Sequence, residues 1–375
     1  MWVDGRSNYF DRVPAISNKQ VIWFHCASLG EFDMALPLMK KIKEYKPNAF
    51  ILTSFFSPSG MKHYHKRRHC VDLAVYLPVD TPSNAKRFIA HFNPQTAFFV
   101  KYEFWPNFIL EAKKNHIQLF SICTLLRKEQ RFFKWYGSFF RKALNLFDFF
   151  YVQNENTLNL LKKIGIQNSL VTGDLRFDRV LENKDSLVKN QRIEDFLKGD
   201  KAIVVGSSWP DDEEIIVPYM LKNPDLKFII APHNVNEHSI SKIEQSLKDM
   251  TCRFTDNNND KNIMILNTIG HLSSAYYAGK IAYVGGGFSG KLHNILEPAV
   301  FGLPVVFGPK YAKFPEAIDF VEHGFGFSVK NETDFETVLN LLASKSQELS
   351  EKIHEYINEK KGAADKILNH ITLNF

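Results

Sequence analysis

The chain has 375 residues, of which 45% are hydrophobic and 23% are charged, so it is typical of a soluble globular protein and too long for one ordinary core. Its net charge of +6 is uneven: residues 1–180 carry 26 Lys and Arg against 14 Asp and Glu, whereas residues 181–375 carry 21 against 27, and the basic first half indicates an anionic partner. The sequence holds no run of about 18 apolar residues that would span a membrane, and its first residues, MWVDGRSNYF, lack the apolar core of a secretory signal.

The four cysteines, Cys26, Cys70, Cys123 and Cys252, lie far apart, and none belongs to a CxxC pair. This spacing disfavours a zinc site and is typical of a reducing compartment, so we expect neither structural zinc nor a disulfide. The histidines in MKHYHKRRH, residues 61–69, stand among cations, which also disfavours a metal site there. We therefore predict no bound metal.

Short apolar runs alternate with amphipathic stretches from residue 21 onward. The first set of predicted strands is VIWFH, AFILTSF, LAVYLPVD, TAFFVKYE, QLFSICTL and FDFFYVQN. The second set is KAIVVGSS, LKFIIAPH, NIMILNT, IAYVGGG and LPVVFGP. Such alternation is typical of parallel sheets. We predict an α/β fold of two doubly wound parallel-sheet, Rossmann-like domains that face a central cleft.

A polar segment between the two sets of strands predicts the domain boundary. It reads RVLENKDSLVKNQRIEDFLKGD and lies near residues 177–200. We expect one domain at residues 1–180, a linker at 181–199 and a second domain at 200–375. The last stretch predicts helices with a charged, exposed face, and these can pack back on the first domain.

The first predicted strand runs into a segment that ends in a glutamate. VIWFHCASLGEF, residues 21–32, passes through Ser28 and Gly30 to Glu31, where a helical pattern begins. Ligands of doubly wound folds bind outside the carboxyl ends of the strands, which favours a catalytic role for Glu31. The alternative is an acid that interacts favourably with the positive end of the helix dipole.

The most informative segment is YVGGGFSGKLHNILEPAVFGLPVVFGP, residues 283–309. A strand ends in three glycines, and a further glycine precedes Lys291, His293 and Asn294. Glycines allow close approach of the backbone to a ligand, a helix start binds phosphate, and Glu297 is placed to accept hydrogen bonds from a ribose diol. The segment indicates nucleotide binding, with a tight turn and a capped helix as the alternative.

This string resembles the nucleotide-binding signature of GT-B glycosyltransferases and, more narrowly, that of the 3-deoxy-D-manno-octulosonic acid (Kdo) transferases of lipopolysaccharide assembly. Other segments resemble the same family in the same order, namely WVDGR, WFHCASLGE, EFWPNF, TGDLRFD, GSSWPDDEE and NTIGHLSSAYYAGKIAYVGGG. The resemblance extends over nearly the whole chain. It implies an inverting transferase that moves Kdo from CMP-Kdo to a lipid A precursor (lipid IVA), without a cofactor or metal ion.

The resemblance implies three catalytic residues in the first half of the chain. Glu31 matches the general base that takes the acceptor proton, and departure of CMP from the opposite face gives inversion. Glu103, in KYEFWPNF, matches a segment with a functionally important acid, although Lys101 stands where many relatives carry an acid; the alternative is a carboxylate satisfied by local backbone N–H groups. Arg176 matches a position usually held by lysine, where a cation stabilises charge as CMP leaves; a linker salt bridge is the alternative.

The resemblance also implies donor-binding residues in the second half. These are Pro232, His233, Ile269, Gly270, His271, Asn294, Ile295, Leu296 and Glu297. Pro232 and His233 fill the first two places of a family Pro-Arg-His whose arginine is missing here, which weakens the expected phosphate contact. Ser207 and Ser208 either bind the donor phosphate or carboxylate or cap a helix.

Two basic and aromatic stretches predict contact with anionic lipid. They are MKHYHKRRH and RKEQRFFKWYGSFFRK, residues 127–142, and the second has six basic residues and one acid. Such a surface suits a membrane and the phosphates of lipid A precursors, with a solvated helix over a core as the alternative. Family members usually carry a membrane anchor ahead of WVDGR, whereas this chain begins almost at that motif. We expect peripheral attachment to the cytoplasmic face of the inner membrane.

Two other functions stay open. A nucleotide-sugar epimerase of the same fold would turn over a UDP-sugar without an acceptor. A non-catalytic basic module would bind anionic lipid or nucleic acid without turnover. Glu31 together with the Gly285–Glu297 string favours an enzyme, so we expect CMP-Kdo and a lipid A precursor as partners and no nucleic acid.

Overall fold

A computed structural model describes residues 10, 13–16, 19–256 and 260–374, and its internal contacts divide the chain into two units. Unit 1 ends at Arg179 and also takes in the chain from Lys360 onward, whereas unit 2 is Val180–Glu359. Residues 181–199, predicted as a linker, therefore belong to unit 2, and the last helix belongs to unit 1. The WVDGR motif lies outside the described residues.

Unit 1 contains a seven-stranded parallel sheet in the order β3-β2-β1-β4-β5-β6-β7. The strands are β1 (Val21–Cys26), β2 (Phe50–Phe55), β3 (Leu73–Tyr76), β4 (Thr96–Val100), β5 (Gln118–Thr124), β6 (Phe149–Val152) and β7 (Ser169–Val171). The helices are α1 (Leu29–Tyr45), α2 (Pro58–His63), α3 (Pro82–Phe92), α4 (Pro106–Lys114), α5 (Ser138–Leu144), α6 (Glu155–Lys163) and α7 (Leu175–Asp185), which continues into unit 2.

The central strands of unit 1 are apolar because helices cover both faces of the sheet. Every residue of β1 is buried, and Trp23 and Phe24 point to opposite faces. Trp23 packs against Phe88 of α3 and Phe99, with ring centroids 4.9 and 5.2 Å away. Phe24 stacks on Phe98 at 4.7 Å. Burial on both faces accounts for the continuous apolar runs in the sequence.

Unit 2 repeats this design with a parallel sheet in the order β10-β11-β9-β8-β12-β13-β14. Its strands are β8 (Ala202–Ser208), β9 (Phe228–Pro232), β10 (Thr251–Arg253), β11 (Ile263–Ile265), β12 (Gly279–Val284), β13 (Val305–Phe307) and β14 (Gly326–Ser328). Its helices are α8 (Gln191–Leu197), α9 (Pro210–Lys222), α10 (Glu237–Leu247), α11 (Leu272–Tyr277), α12 (Leu296–Ala299), α13 (Pro315–Glu322) and α14 (Glu332–Lys360).

The last helix, α15 (Ala363–Asn374), completes the core of unit 1. Ala363, Ala364 and Ile367 are fully buried among residues of α1. The N–H of Gly362 donates to Asp178 Oδ1 at 2.8 Å, which ties the start of this helix to α7. None of the described helices combines the length and apolar character that a membrane span requires.

The predicted α/β class and every predicted strand are confirmed. Three strands were missed, namely β7, β10 and β14, and each has three residues and lies at the edge of its sheet. An edge strand has one neighbour and needs no long apolar run, so its sequence gives a weak signal. The four cysteines are all free.

Candidate active site and donor site

Two glutamates follow the strands at which the topology of the first sheet reverses. Strand β1 lies between β2 and β4. The chain adds β2 and β3 on one side of β1 and then returns to add β4 on the other, and such a switch point is where doubly wound folds bind ligands. Glu31 lies in the first turn of α1, just after β1, and Glu103 lies in the loop after β4.

Glu31 is held in place by the start of its own helix. Ser28 is the N-cap of α1, and its Oγ accepts a hydrogen bond from the N–H of Glu31 at 3.5 Å. The Glu31 carboxylate accepts in return from the N–H of Ser28 at 3.2 Å, which completes a capping box. The side chain is only 8% exposed. The alternative prediction, an acid at the start of a helix, therefore corresponds to an observed contact. That contact also orients the carboxylate.

The surroundings of Glu31 raise its pKa toward neutral pH. Burial, followed by the negative charge of Glu103, raises the pKa of Glu31 to about 7. The positive charge of Lys101 and hydrogen bonds from backbone N–H groups act in the opposite direction. A carboxylate that titrates near neutrality is well matched to accepting a proton during catalysis.

Glu103 belongs to the same electrostatic environment. Burial raises its pKa, while the Trp105 side chain and the Lys101 ammonium lower it. Lys101 adopts a left-handed backbone conformation with φ of 61°, and its N–H donates to the Ile122 carbonyl at 2.9 Å. The turn after β4 thus presents a cation and an acid beside Glu31.

A buried histidine, to which the sequence pattern assigns no role, lies near the end of β1. His25 Nδ1 is 2.9 Å from Ser54 Oγ, and that oxygen also accepts from Trp23 Nε1 at 2.8 Å. Burial lowers the pKa of His25 to about 3, so the ring is neutral. Its ring contacts the edge of Trp105, with centroids 5.8 Å apart. These residues form a polar layer in the core of unit 1, in which His25 Nε2 is buried without a hydrogen-bond partner.

Arg176 is in an ion pair with its near neighbour Asp174. Its backbone N–H donates to Asp174 Oδ1 at 2.9 Å and its Nε donates to Oδ2 at 2.8 Å. Both side chains are largely shielded from solvent. The salt bridge predicted as the alternative role of Arg176 is present, and it orients the guanidinium at the start of α7.

Unit 2 has its own switch point, where three rings meet. Strand β8 lies between β9 and β12, and Trp209, His233 and His293 follow these three strands. His233 stacks on Trp209 with centroids 4.1 Å apart, and His293 lies 4.8 Å from His233. Lys291 Nζ lies 5.6 Å from the centre of the Trp209 ring. We call these four residues the ring cluster.

The three glycines after β12 allow protein backbone, rather than a ligand, to pack closely. A Cβ on Gly285 would lie 2.2 Å from the Ser207 carbonyl, and one on Gly287 would lie 2.4 Å from the N atom of Gly308. Asp212 locks the same region, because its carboxylate accepts from the Gly286 N–H at 3.0 Å. The tight-turn alternative accounts for these glycines.

The segment 294–297 offers a ligand fewer groups than the sequence suggested. Ile295 and Leu296 have fully buried side chains, so only their backbone is available. The N–H of Leu296 already donates to Asn294 Oδ1 at 3.2 Å, and α12 has only four residues. Glu297 is exposed and accepts from Asn294 Nδ2 at 3.4 Å. Asn294 and Glu297 are the side chains that remain for a nucleotide.

The remaining donor candidates lie at neighbouring strand ends. Pro232 ends β9 and is buried, directly before His233. Ile269 is 81% exposed in the loop after β11. Gly270 has φ of 104° in that loop, and His271 stacks on Phe254 at 4.2 Å. Because β11, β9, β8 and β12 are neighbouring parallel strands, every donor candidate lies at the carboxyl ends of the strands.

The second basic and aromatic stretch exposes large apolar rings. Trp135, Tyr136 and Phe139 are 90%, 54% and 59% exposed. Phe132 and Phe133 instead pack against the core of unit 1 and anchor the segment. In the stretch at residues 61–69, Arg67 is paired with Asp33 at 2.8 Å.

Comparison with known proteins places the chain among named relatives. A family model described as 3-deoxy-D-manno-octulosonic-acid transferase (kdotransferase) matches residues 5–179. The chain is 30% identical over 363 residues to the 3-deoxy-D-manno-octulosonic acid transferase of Aquifex aeolicus, with 94% of each chain covered. It is 26% identical over 377 residues to the protein of that name from Rickettsia felis, with 94% of this chain and 79% of the relative covered.

A solved structure supports the fold class. UDP-GlcNAc 2-epimerase from Neisseria meningitidis, bound to UDP-GlcNAc, matches with a TM-score of 0.67 and 15% identity, covering 95% of this chain and all of that one. At this identity the likeness concerns the fold alone. It confirms the predicted GT-B class.

Proposed function

We propose that this chain, which belongs to the 3-deoxy-D-manno-octulosonic acid (Kdo) transferase family, moves Kdo from CMP-Kdo to a lipid A precursor (lipid IVA) with inversion at the anomeric carbon. The observation that carries the proposal is the similarity over nearly the full length to the Aquifex aeolicus relative, whose name states Kdo transfer. The buried, near-neutral Glu31 supports it from the chemical side.

In the proposed reaction Glu31 is the general base. The acceptor hydroxyl oxygen attacks the anomeric carbon of Kdo, and its proton passes to the Glu31 carboxylate. The bond between that carbon and the phosphate oxygen of CMP breaks, and CMP leaves with the electron pair. One base and attack opposite the leaving group give inversion without a covalent intermediate.

Two further residues of unit 1 support this step. Burial and, after it, the charge of Glu103 raise the pKa of Glu31 to about 7, so that the base accepts a proton and later releases it. Arg176, oriented by Asp174, stabilises the negative charge that develops on the departing phosphate. Arginine suits this task because its planar group forms directional hydrogen bonds to phosphate oxygens.

The donor is assigned to unit 2. Asn294 and Glu297 have accessible side chains for the ribose and base, and His233 and the loop at Ile269 to His271 lie at the same strand edge. The proposal includes no resident cofactor or metal ion. Within the described residues, no group of three or more His, Cys, Asp or Glu side chains could hold a metal ion.

The acceptor is a lipid, so unit 1 is proposed to attach peripherally to the cytoplasmic face of the inner membrane. The exposed rings of Trp135, Tyr136 and Phe139 would enter the interface, while cations of the same stretch meet anionic head groups. Aromatic residues favour the boundary between head groups and acyl chains.

The test is incubation with CMP-Kdo and a tetraacylated lipid A precursor in detergent, followed by CMP release and product mass. Kdo-bearing product that forms equally with EDTA supports the proposal. Glu31→Gln should reduce turnover by about 10²- to 10⁴-fold, the range for loss of a general base. Turnover by that variant equal to that of the parent would show that Glu31 is not the general base.

Two other outcomes separate the alternatives. UDP-sugar turnover without any acceptor would favour an epimerase. Ligand binding without turnover of a CMP-sugar, by protein whose fold is confirmed by circular dichroism, would favour a binding module.

A further inference from the structure

We propose that Lys291 and His293 of the ring cluster form an anion subsite that binds the phosphate or the sugar carboxylate of the donor, with the rings of Trp209 and His233 packed beside them. The inference rests on the proposed function, because it takes the donor to be a nucleotide-linked sugar acid. Trp209, Lys291 and His293 lie outside the donor-binding residues predicted from the sequence, whereas His233 is one of them.

Backbone contacts fix the position of the subsite. The N–H of His293 donates to the Gly285 carbonyl at 3.1 Å, and the N–H of Lys291 donates to the Gly286 carbonyl at 2.9 Å. The N–H of His233 donates to the Ser208 carbonyl at 2.9 Å. The rings thus project from three neighbouring strands at the switch point of unit 2, where doubly wound folds hold their ligands.

The cluster contains buried polar atoms that the protein does not satisfy. His293 Nε2 and Trp209 Nε1 are both buried without a hydrogen-bond partner. Buried polar groups in folded proteins are nearly always paired, so two such atoms in one cluster point to a ligand. Both can donate: indole N–H is only a donor, and imidazole donates from one nitrogen in its neutral form.

The charge of the cluster selects an anion. Lys291 is exposed and positively charged. Burial and the charge of Lys291 lower the pKa of His233, and burial and His233 lower the pKa of His293, so both rings are neutral donors. The nearby Asp212 carboxylate already has partners, since it accepts hydrogen bonds from the Tyr283 hydroxyl at 2.7 Å and from the backbone N–H of Trp209 at 2.9 Å. One ammonium and uncharged N–H groups match a phosphate or carboxylate.

Four variants test the subsite. Lys291→Gln removes the charge, and His293→Leu removes the ring donor at similar volume. His293→Gln restores a donor near the position of Nε2. Lys201→Gln is the matched control, because Lys201 is exposed in the same unit but precedes β8, at the opposite edge of the sheet. Circular dichroism and the thermal midpoint establish that each variant folds.

Calorimetric titration with cytidine, CMP and CMP-Kdo, without acceptor, identifies the anion. If the subsite binds phosphate, Lys291→Gln and His293→Leu weaken CMP binding about 10- to 100-fold and leave cytidine binding unchanged. If it binds the sugar carboxylate, the loss occurs with CMP-Kdo and not with CMP. In either case His293→Gln binds more tightly than His293→Leu, and Lys201→Gln binds like the parent.

The outcomes separate this inference from the proposed function. Parental affinity of both Lys291→Gln and His293→Leu for all three ligands overturns the subsite, while Kdo transfer by the parent leaves the function standing. Weaker CMP binding by Lys291→Gln and His293→Leu than by the parent, together with no Kdo transfer by the parent, supports the subsite and overturns the function. A parent that binds neither CMP nor CMP-Kdo overturns both.

Discussion

At the scale of single residues, Glu31 combines a structural and a chemical role. Its carboxylate closes the capping box of α1, and burial beside Glu103 raises its pKa to about 7. The capping contact holds the group still, and the pKa keeps it half ionised near neutral pH. A buried carboxylate of this kind carries a cost in stability once it ionises.

Because of this cost, we expect Glu31→Gln to become more stable relative to the parent as the pH rises. The folded-state pKa of Glu31, about 7, lies above the ordinary value of 4.5, so its stabilising contribution is complete below 4.5 and is lost as pH rises through 7. Glutamine keeps a capping side chain without the charge. Relative to the parent, the free energy of unfolding of the variant should rise by about 3 kcal/mol between pH 4.5 and pH 8, since each unit of pKa difference is worth about 1.4 kcal/mol.

Urea denaturation at both pH values measures this difference. Glu44→Gln is the control, because Glu44 is an exposed glutamate in the last turn of the same helix. A difference that stays constant with pH would show that Glu31 is not held as a perturbed acid.

The coupling of the two acids predicts the effect of Glu103→Gln. The charge of Glu103 raises the pKa of Glu31, so its removal should move the acidic limb of the kcat/KM profile from about pH 7 to lower pH. Carbon-13 NMR of the Glu31 carboxyl measures the same pKa if turnover is lost. An unchanged limb and an unchanged carboxyl titration would refute the coupling; Glu129→Gln, at an exposed position, is the control.

At the scale of elements, the segments that follow β8 and β12 pack tightly against each other. Gly285, Gly286 and Gly287 bring backbone segments together, and the fully buried Asp212 joins α9 to the turn after β12. The ring cluster is therefore placed by local packing rather than by a flexible loop. This rigidity suits a site that must hold its polar groups in position before a ligand arrives.

A single methyl group should disturb this packing. In Gly285→Ala the new Cβ would lie 2.2 Å from the Ser207 carbonyl and 2.8 Å from Asp212 Oδ2. Backbone must shift, so we expect a loss of about 2 to 4 kcal/mol in the free energy of unfolding, measured by urea denaturation. Gly30→Ala is the control, because a Cβ on Gly30 would lie 4.0 Å from Ser28 Oγ and alanine favours a helix. Equal stability of both variants would contradict the packing argument.

At the scale of the whole molecule, charge is distributed by unit. The basic excess lies in residues 1–180, and the aromatic rings that remain exposed in residues 127–142 lie in unit 1 as well. The donor candidates lie in unit 2. This division agrees with a proposal in which unit 1 meets the lipid acceptor and unit 2 binds the nucleotide.

Membrane attachment predicts selective binding to anionic vesicles. The double variant Trp135→Ser with Phe139→Ser should sediment with phosphatidylglycerol vesicles at least about tenfold less than the parent, since two exposed rings lose their interfacial contact. Leu373→Ser, which changes another exposed apolar side chain, should bind as the parent does. Equal sedimentation of the parent with phosphatidylcholine, or undiminished binding of the double variant, would count against the membrane role.

The sequence by itself determined the alternation of strands and helices, because strands buried on both faces need continuous apolar runs such as VIWFHC. It also placed Glu31 at a strand end and located the Gly285–Glu297 segment. Tertiary structure decided the rest. Glu103 affects Glu31 only because β1 and β4 are neighbours, and Trp209, His233 and His293 meet only because β8 lies between β9 and β12. Strand order, burial and electrostatic coupling depend on contacts between residues far apart in the chain, and no local pattern encodes those.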